Sequence, residues 1–198
     1  MTLLLIALNA LVFVFEALGP ASMIDRFALW PLHSANADAP AFHIWQLLTY
    51  SVLHASLPHL AFNMLGLFMF GREVERVLGA ARLLRLYAAS VVCGGVVQLL
   101  TALALGGDAY PTIGASAGIF GLLVAYALLF PQRRVVLLFP PIPMPAWLFA
   151  TGYALVELGL GVSGEAPGIA HFAHLGGMAG ALALIGCWSR RRRSDAVD

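Results

Sequence analysis

The sequence from residue 83 to residue 105 reads LLRLYAASVVCGGVVQLLTALAL, and its only charged side chain is Arg85, near the start. A helix of about 20 apolar residues spans the hydrocarbon core of a bilayer. The whole chain has the same character: of its 198 residues, 61% are hydrophobic and 11% are charged, with a mean hydropathy of +0.87. So few charged residues could not cover the surface of a soluble protein. The sequence therefore predicts an integral membrane protein and excludes a soluble globule, a disordered chain and a basic nucleic-acid-binding protein.

Six apolar runs of this kind are separated by charged residues, proline and glycine. They are Leu3–Leu18, Pro58–Val77, Leu83–Leu105, Ser116–Phe130, Pro145–Val162 and Ile169–Trp188. The predicted fold class is all-α, a polytopic membrane protein with six transmembrane helices in residues 1–189 and a short cytoplasmic basic tail in residues 190–198. The apolar, aromatic connection from Gly19 to about Leu57 favours short helices in the membrane interface over a free loop.

The arginines predict the orientation of the chain. The sequence has eleven Arg and no Lys. In a six-helix arrangement all except Arg26 fall on one side of the membrane, and cationic loops stay in the cytoplasm. Both termini are therefore predicted to be cytoplasmic, with the opposite face directed to the periplasm of a bacterial inner membrane.

Several polar side chains lie inside the predicted spans, where such groups are costly and usually mark a functional site. They are His59, Asn63, Ser116, Glu157, His171 and His174. Ser116 and His174 are each fifteen residues before the cytoplasmic end of their run, at Pro131 and Ser189. At a rise of 1.5 Å per residue both lie about 22 Å above that end. The same arithmetic places His59 and Asn63 on either side of this level.

A serine hydroxyl and an imidazole at one depth suggest nucleophilic catalysis, because the imidazole can accept the proton of the hydroxyl. Ser116 is the candidate nucleophile and His174 the candidate base. His59 and the Asn63 amide, with the backbone N–H of Ser116 at a helix start, are candidate donors for an oxyanion. No Asp or Glu lies at this depth on the helices that carry these residues, so a third, acidic member is not evident. Glu157, on another helix, is the one candidate, and it is interpreted as a structural or interhelical residue.

The surrounding small residues have a structural interpretation as well. Gly114-Ala115-Ser116-Ala117-Gly118 reads G-x-S-x-G, a motif that in soluble hydrolases needs a strand before it. Glycines at three- and four-residue spacing let helices approach closely, so Ser116 alone could belong to a packing seam. The sequence leaves both interpretations open.

Cys93 and Cys187 lie in apolar runs and are predicted to be buried small hydrophobic residues rather than a disulfide.

Five segments resemble those of the rhomboid intramembrane serine proteases, in their bacterial six-helix form, over nearly the whole chain. In order they are Trp45-Gln46-Leu47-Leu48-Thr49, His54-x-x-x-x-His59-x-x-x-Asn63, Glu75-x-x-x-Gly79, Gly114-x-Ser116-x-Gly118 and Ala173-His174-x-x-Gly177. The order and combination are specific, although each segment alone is weak. Two positions depart from the family pattern: Gln46 follows Trp45 where Arg is common, and Ala181 stands where the family usually has glycine.

The resemblance implies that Ser116 is the nucleophile, that His174 is the base, and that His59 and Asn63 assist the oxyanion. It also implies that Phe120 packs against the catalytic imidazole, with Gly114 and Gly177 allowing close contact. The implied activity is endopeptidase cleavage in or beside the transmembrane helix of a single-pass membrane protein, on the outer side of the membrane. The expected partners are that substrate and membrane lipid, without nucleic acid, metal or cofactor.

Two alternatives compete with this interpretation. A rhomboid-like protein could bind transmembrane helices without cutting them, although such relatives typically lack the serine or the histidine. A small transporter or channel could instead use His59, His171 and His174 as a proton relay or metal site. Against the metal site, no carboxylate or cysteine is expected to complete the set of ligands.

Overall fold

The structure is a computed structural model that describes residues 1–19, 22–33, 38–105, 110–136, 141–165 and 168–194. Its helices in chain order are α1 (Thr2–Leu18), α2 (Ser22–Phe27), α3 (Gln46–Thr49), α4 (Leu57–Gly66), α5 (Arg72–Leu78), α6 (Ala80–Leu105), α7 (Ser116–Leu129), α8 (Ala146–Ser163) and α9 (His171–Ser194). A 3₁₀ turn, Tyr50–Val52, follows α3, and a π-helical segment, Leu67–Gly71, joins α4 to α5. Two short strands, β1 (Arg134–Val136) and β2 (Pro143–Pro145), pair antiparallel.

The long helices coincide with the predicted apolar runs, with α4, the π segment and α5 forming the second. Within the described residues, three helices are long and apolar enough to cross a membrane: α6, α8 and residues His171–Arg191 of α9. The bent pair Gln46–Val52 and Leu57–Leu78 would add a fourth, and α1 and α7 are shorter apolar helices. The chain is thus a mostly helical integral membrane protein. The count of six spans stays a prediction.

Helix α7 lies at the centre of the bundle, packed against α6, α8 and α9. Small residues make this packing possible. A Cβ added at Gly118 would lie 2.3 Å from the ring of Tyr87, and one at Gly121 would lie 2.0 Å from Ser90 Oγ, both on α6. On the α9 side, a Cβ at Gly177 would lie 2.1 Å from the carbonyl oxygen of Ala117. The closely spaced glycines of α7, together with Gly177 of α9, therefore let α6, α7 and α9 pack at van der Waals distance.

The segment between α1 and α4 contains short helices, as its composition predicts, with residues 20, 21 and 34–37 outside the described part. Gln46, which departs from the family pattern, is fully buried. Its Oε1 accepts hydrogen bonds from the backbone N–H groups of Trp30 and His43, and its Nε2 donates to the carbonyl of Arg26. A neutral amide thus holds this loop together by satisfying three backbone groups.

The predicted cytoplasmic tail begins at residue 190. Helix α9 extends to Ser194, so the first residues of this tail continue the helix, and residues 195–198 lie outside the described part.

Both cysteines are free, but Cys93 is half-buried and Cys187 is exposed, so the prediction of burial is wrong. The physical reason is that a membrane helix is apolar on its outer face too, so apolar neighbours do not indicate burial.

Candidate active site

Ser116 and His174 meet at the centre of the bundle. Ser116 is the first residue of α7, and His174 is in the first turn of α9. The hydroxyl Oγ of Ser116 lies 2.8 Å from Nε2 of His174, which is hydrogen-bond distance. Ser116 is half-buried and His174 is 8% exposed. Two polar groups that are 58 residues apart in the chain are therefore in direct contact.

The loop before Ser116 is held by backbone hydrogen bonds. Gly114 has a φ of +124°, which glycine adopts without the strain that a side chain would bring, and its N–H donates to the carbonyl of Tyr50. Upstream, Leu29 and Thr112 form an antiparallel bridge in which each N–H donates to the carbonyl of the other. These contacts fix the approach of the chain to α7. Residues 106–109, the start of the predicted descent into the membrane, are outside the described part.

Phe120 packs against the imidazole of His174. The two rings are stacked, with centroids 4.4 Å apart and planes 12° from parallel. Phe120 in turn meets the ring of Tyr153 edge-on at 5.7 Å. Gly177, one turn further along α9, lets the backbone of α9 approach Ala117. The structure thus places Phe120 against the imidazole and Gly177 where α9 packs against α7.

His59 and Asn63 are on the inner face of α4 and line the same cavity as Ser116. A Cβ added at Gly114 would lie 2.9 Å from Nε2 of His59, so the imidazole is directly beside the loop that carries Ser116. Asn63 is 6% exposed, and its Nδ2 donates to the carbonyl of His59. Since an amide nitrogen carries two hydrogens, one N–H remains for another acceptor. Behind them, burial and the nearby His59 lower the pKa of the His54 imidazole to about 4.

A cavity of about 900 Å³ opens at these side chains. Polar groups line one part of it: His59, Asn63, Ser116 and His174. Much of the remaining wall is apolar and aromatic, from residues such as Phe62, Met69, Phe149 and Tyr153. Such a cavity is large enough for peptide side chains.

Glu157 is the residue that the sequence interpretation misplaces. Its Oε2 lies 2.6 Å from Nδ1 of His171 and 2.9 Å from Nδ1 of His174. It is an interhelical contact, as predicted, but it also lies against His174, so the one candidate third member does meet the imidazole. The expectation that no carboxylate joins the two histidines is wrong. The height of α8 in the bundle is fixed at its start, where the N–H of Ala146 donates to the carbonyl of Arg133. The positions of the charged residues in the sequence do not predict this contact. The sequence does contain one signal for the contact of Glu157. Glu157 is the one carboxylate in its apolar helix, and a carboxylate in that position requires a polar partner.

The family model of the Rhomboid domain matches residues 41–191, which include all five segments from Trp45 to Gly177 that carry the resemblance. The chain belongs to the rhomboid family. Among curated rhomboid relatives it is 32% identical to the rhomboid protease GluP of Bacillus subtilis, over 69% of this chain and 24% of that protein. It is 30% identical to the mitochondrial presenilin-associated rhomboid-like protein of Mus musculus, over 93% of this chain and 46% of that protein.

A further rhomboid relative is the rhomboid protease GlpG of Haemophilus influenzae, which is 29% identical over 49% of this chain and 48% of that protein. The chain therefore spans between a quarter and a half of the length of these three relatives. Bacterial and mitochondrial proteins are both among these relatives.

Proposed function

We propose that this rhomboid is an intramembrane serine endopeptidase that hydrolyses peptide bonds in or next to the transmembrane helix of single-pass membrane proteins. The observation that carries the proposal is the 2.8 Å contact between Ser116 Oγ and His174 Nε2. Serine hydroxyls are weak nucleophiles unless a base accepts their proton, and a neutral imidazole at this distance is such a base. The names of the relatives GluP and GlpG as rhomboid proteases support the same class of reaction.

The proposed reaction follows from the geometry around Ser116. Oγ attacks the carbonyl carbon of the scissile bond as Nε2 of His174 takes its proton, and the protonated imidazole then donates that proton to the leaving amine. The resulting acyl ester is cleaved by water, with His174 again acting as the base. All atoms of this cycle come from substrate, water, Ser116 and His174.

The negative charge on the oxygen of the tetrahedral intermediate is stabilised by hydrogen-bond donors that are already in position. Ser116 opens α7, and the preceding residue, Ala115, offers no side-chain cap to the first N–H groups of that helix. Uncapped N–H groups at a helix start attract negative charge. The proposal assigns the oxyanion to these N–H groups together with His59 and the second N–H of Asn63.

The proposal includes six spans with both termini in the cytoplasm of a bacterial inner membrane, and a site that opens to the periplasmic side. The placement of ten of the eleven arginines supports this orientation. The half-buried Ser116 and the open cavity beside it support access of water to the site.

The test is cleavage of a model single-pass substrate by purified protein in liposomes, followed by N-terminal sequencing of the released product. The native chain should cut at one bond, and Ser116→Ala and His174→Ala should each abolish cleavage while retaining the helical circular dichroism of the native protein. A fluorophosphonate probe should label native protein at Ser116. Folded native protein that neither cuts nor labels would favour the alternative, a rhomboid that binds transmembrane helices without cleaving them.

A further inference from the structure

Three buried side chains from two helices form one cluster beside the proposed dyad. Glu157 of α8 is 6% exposed, and His171 and His174 of α9 are 5% and 8% exposed. One carboxylate oxygen, Oε2, lies within 3 Å of Nδ1 on both rings. His171 and His174 are three residues apart on a helix, so their side chains reach the same neighbour. The cluster thus joins α8 to the imidazole that contacts Ser116.

The contact at Nδ1 of His174 determines whether Nε2 of the same ring can accept a proton. A neutral imidazole carries one proton, so Nε2 can accept the proton of Ser116 only if Nδ1 holds its own. Nδ1 of His174 faces Glu157 Oε2 at 2.9 Å, although the oxygen lies off the line of a well-aligned hydrogen bond. A carboxylate at this position favours the tautomer with the proton on Nδ1.

The carboxylate also has a role once the proton has moved. When Nε2 takes the proton of Ser116, the imidazole becomes a cation, and its Nδ1 side is buried against Glu157. A negative charge 2.9 Å from Nδ1 stabilises that cation much more than it would in water. In the resting protein the second contact, His171 Nδ1 at 2.6 Å, supplies a donor that a buried carboxylate requires.

A metal site is the competing interpretation of the same three residues, whose ligand atoms all lie within 4.8 Å of one another. Two ligand atoms on one tetrahedral zinc ion, at bonds of 2.0–2.2 Å, stand about 3.4 Å apart. The observed separations of 2.6 and 2.9 Å are shorter, and both end on the same oxygen. These are the distances of hydrogen-bonded or ion-paired groups.

From these contacts we infer that Glu157 is a positioning residue for His174, so that the site works as a Ser116–His174–Glu157 triad with His171 holding the carboxylate in place. The inference rests on the proposed function. It assigns Glu157 no contact with the substrate: the carboxylate acts through the imidazole, by selecting its tautomer and by stabilising its protonated form.

The kinetic test compares Glu157→Gln, which removes the charge and keeps the size, with Glu157→Asp, which keeps the charge. Glu157→Gln should lower kcat by up to about 10⁴-fold with KM unchanged, the loss that removal of the corresponding charge causes in a serine protease with a Ser-His-Asp triad, and Glu157→Asp should recover part of the loss. Glu16→Gln is the matched control, because Glu16 is a half-buried carboxylate in α1 that contacts the backbone of His54 and not His174. Native kcat in Glu157→Gln would overturn the inference.

His171 provides a second kinetic test. Because it is proposed to act through Glu157, the double variant Glu157→Gln with His171→Gln should be no slower than Glu157→Gln alone. A further loss in the double variant would show that His171 acts by another route. Zinc bound stoichiometrically to the purified native protein and lost in Glu157→Gln would establish the metal site and overturn the inference.

A tautomer measurement separates this inference from the proposed function, since it requires no activity. In protein labelled with ¹⁵N-histidine, the nitrogen chemical shifts of His174, assigned by comparison with His174→Ala, should report a proton on Nδ1. Glu157→Gln should weaken that preference, and Glu16→Gln should not. If the native protein holds the proton on Nε2, the inference fails even if cleavage by Ser116 is established; if the proton is on Nδ1 but nothing is cleaved, the proposed function fails instead.

Discussion

The ring of Phe120 lies nearly parallel to the imidazole of His174, 4.4 Å from it, and Phe120 is one turn after Ser116 on the same helix. Helix α7 therefore carries both the proposed nucleophile and the surface on which the proposed base rests. Stacked aromatic pairs contribute about 0.5–1.5 kcal/mol beyond the burial of their surface. The stack restricts rotation of the imidazole and keeps Nε2 directed at Ser116.

Phe120→Ala should lower kcat by about 2- to 10-fold, the factor that corresponds to loss of one aromatic pair. Cleavage of the model substrate by equal amounts of folded protein measures it. Phe120→Tyr retains the ring and should cut at close to the native rate. Equal rates for Phe120→Ala and the native protein would mean that the stack does not orient His174.

Asn63→Ala should lower kcat/KM by about 10- to 1,000-fold, because it removes one proposed oxyanion donor. A matched control exists in α1: Asn9 is fully buried and its Nδ2 donates to the carbonyl of Leu5, four residues earlier, as Asn63 does to His59. Asn9→Ala deletes the same group away from the cavity and should leave kcat/KM of the folded protein unchanged. Equal loss in both variants would indicate that Asn63 matters for folding and not for the oxyanion.

Gly177→Ala should lower both the melting temperature and the cleavage rate. The added methyl would lie 2.1 Å from the carbonyl oxygen of Ala117, so α7 and α9 would have to separate where they carry Ser116 and His174. Overpacking of this kind costs about 1–3 kcal/mol. Gly186 is on the same helix with nothing within 4 Å of an added Cβ, so Gly186→Ala should retain or raise the melting temperature. Thermal unfolding in detergent compares the two, and a Gly177→Ala protein as stable and active as the native one would contradict the prediction.

Gln46→Ala should lower the free energy of unfolding by about 1–3 kcal/mol, because it leaves buried backbone N–H groups of Trp30 and His43 without an acceptor. The exposed Gln132 provides the control, since truncation of its side chain should leave the melting temperature unchanged. If Gln46→Ala and the native protein have the same melting temperature, the segment between α2 and α4 does not depend on the Gln46 amide.

Sequence reasoning predicts the helices well because their pattern is simple. Hydropathy marks the runs that become α1, α6, α7, α8 and α9 within a few residues, and counting residues from the arginines places Ser116 and His174 at one level. The height of a residue along a helix axis depends only on the number of residues that separate it from the helix end. The shared depth of Ser116 and His174 could therefore be predicted.

What sequence reasoning misses depends on how the helices rotate and bend. The π-helical segment Leu67–Gly71 interrupts the second run where Gly71 packs against Thr2, a contact with no local signature. Strands β1 and β2 have only three residues each, and two of the residues of β2 are prolines, so the alternation is too short to predict. Glu157 meets His174 because α8 turns that side chain inward, and hydropathy contains no information about the direction in which one residue of an apolar helix points.

The bridge between Leu29 and Thr112 couples the loop after α2 to the chain that leads into Ser116. Both N–H groups of the bridge can exchange with deuterium only when that pairing opens. The two amides therefore report on the segment between α2 and α4. A substitution that loosens this segment, such as one at Gln46, which accepts a hydrogen bond from Trp30 beside the bridge, should appear as faster exchange at Thr112, four residues before the nucleophile.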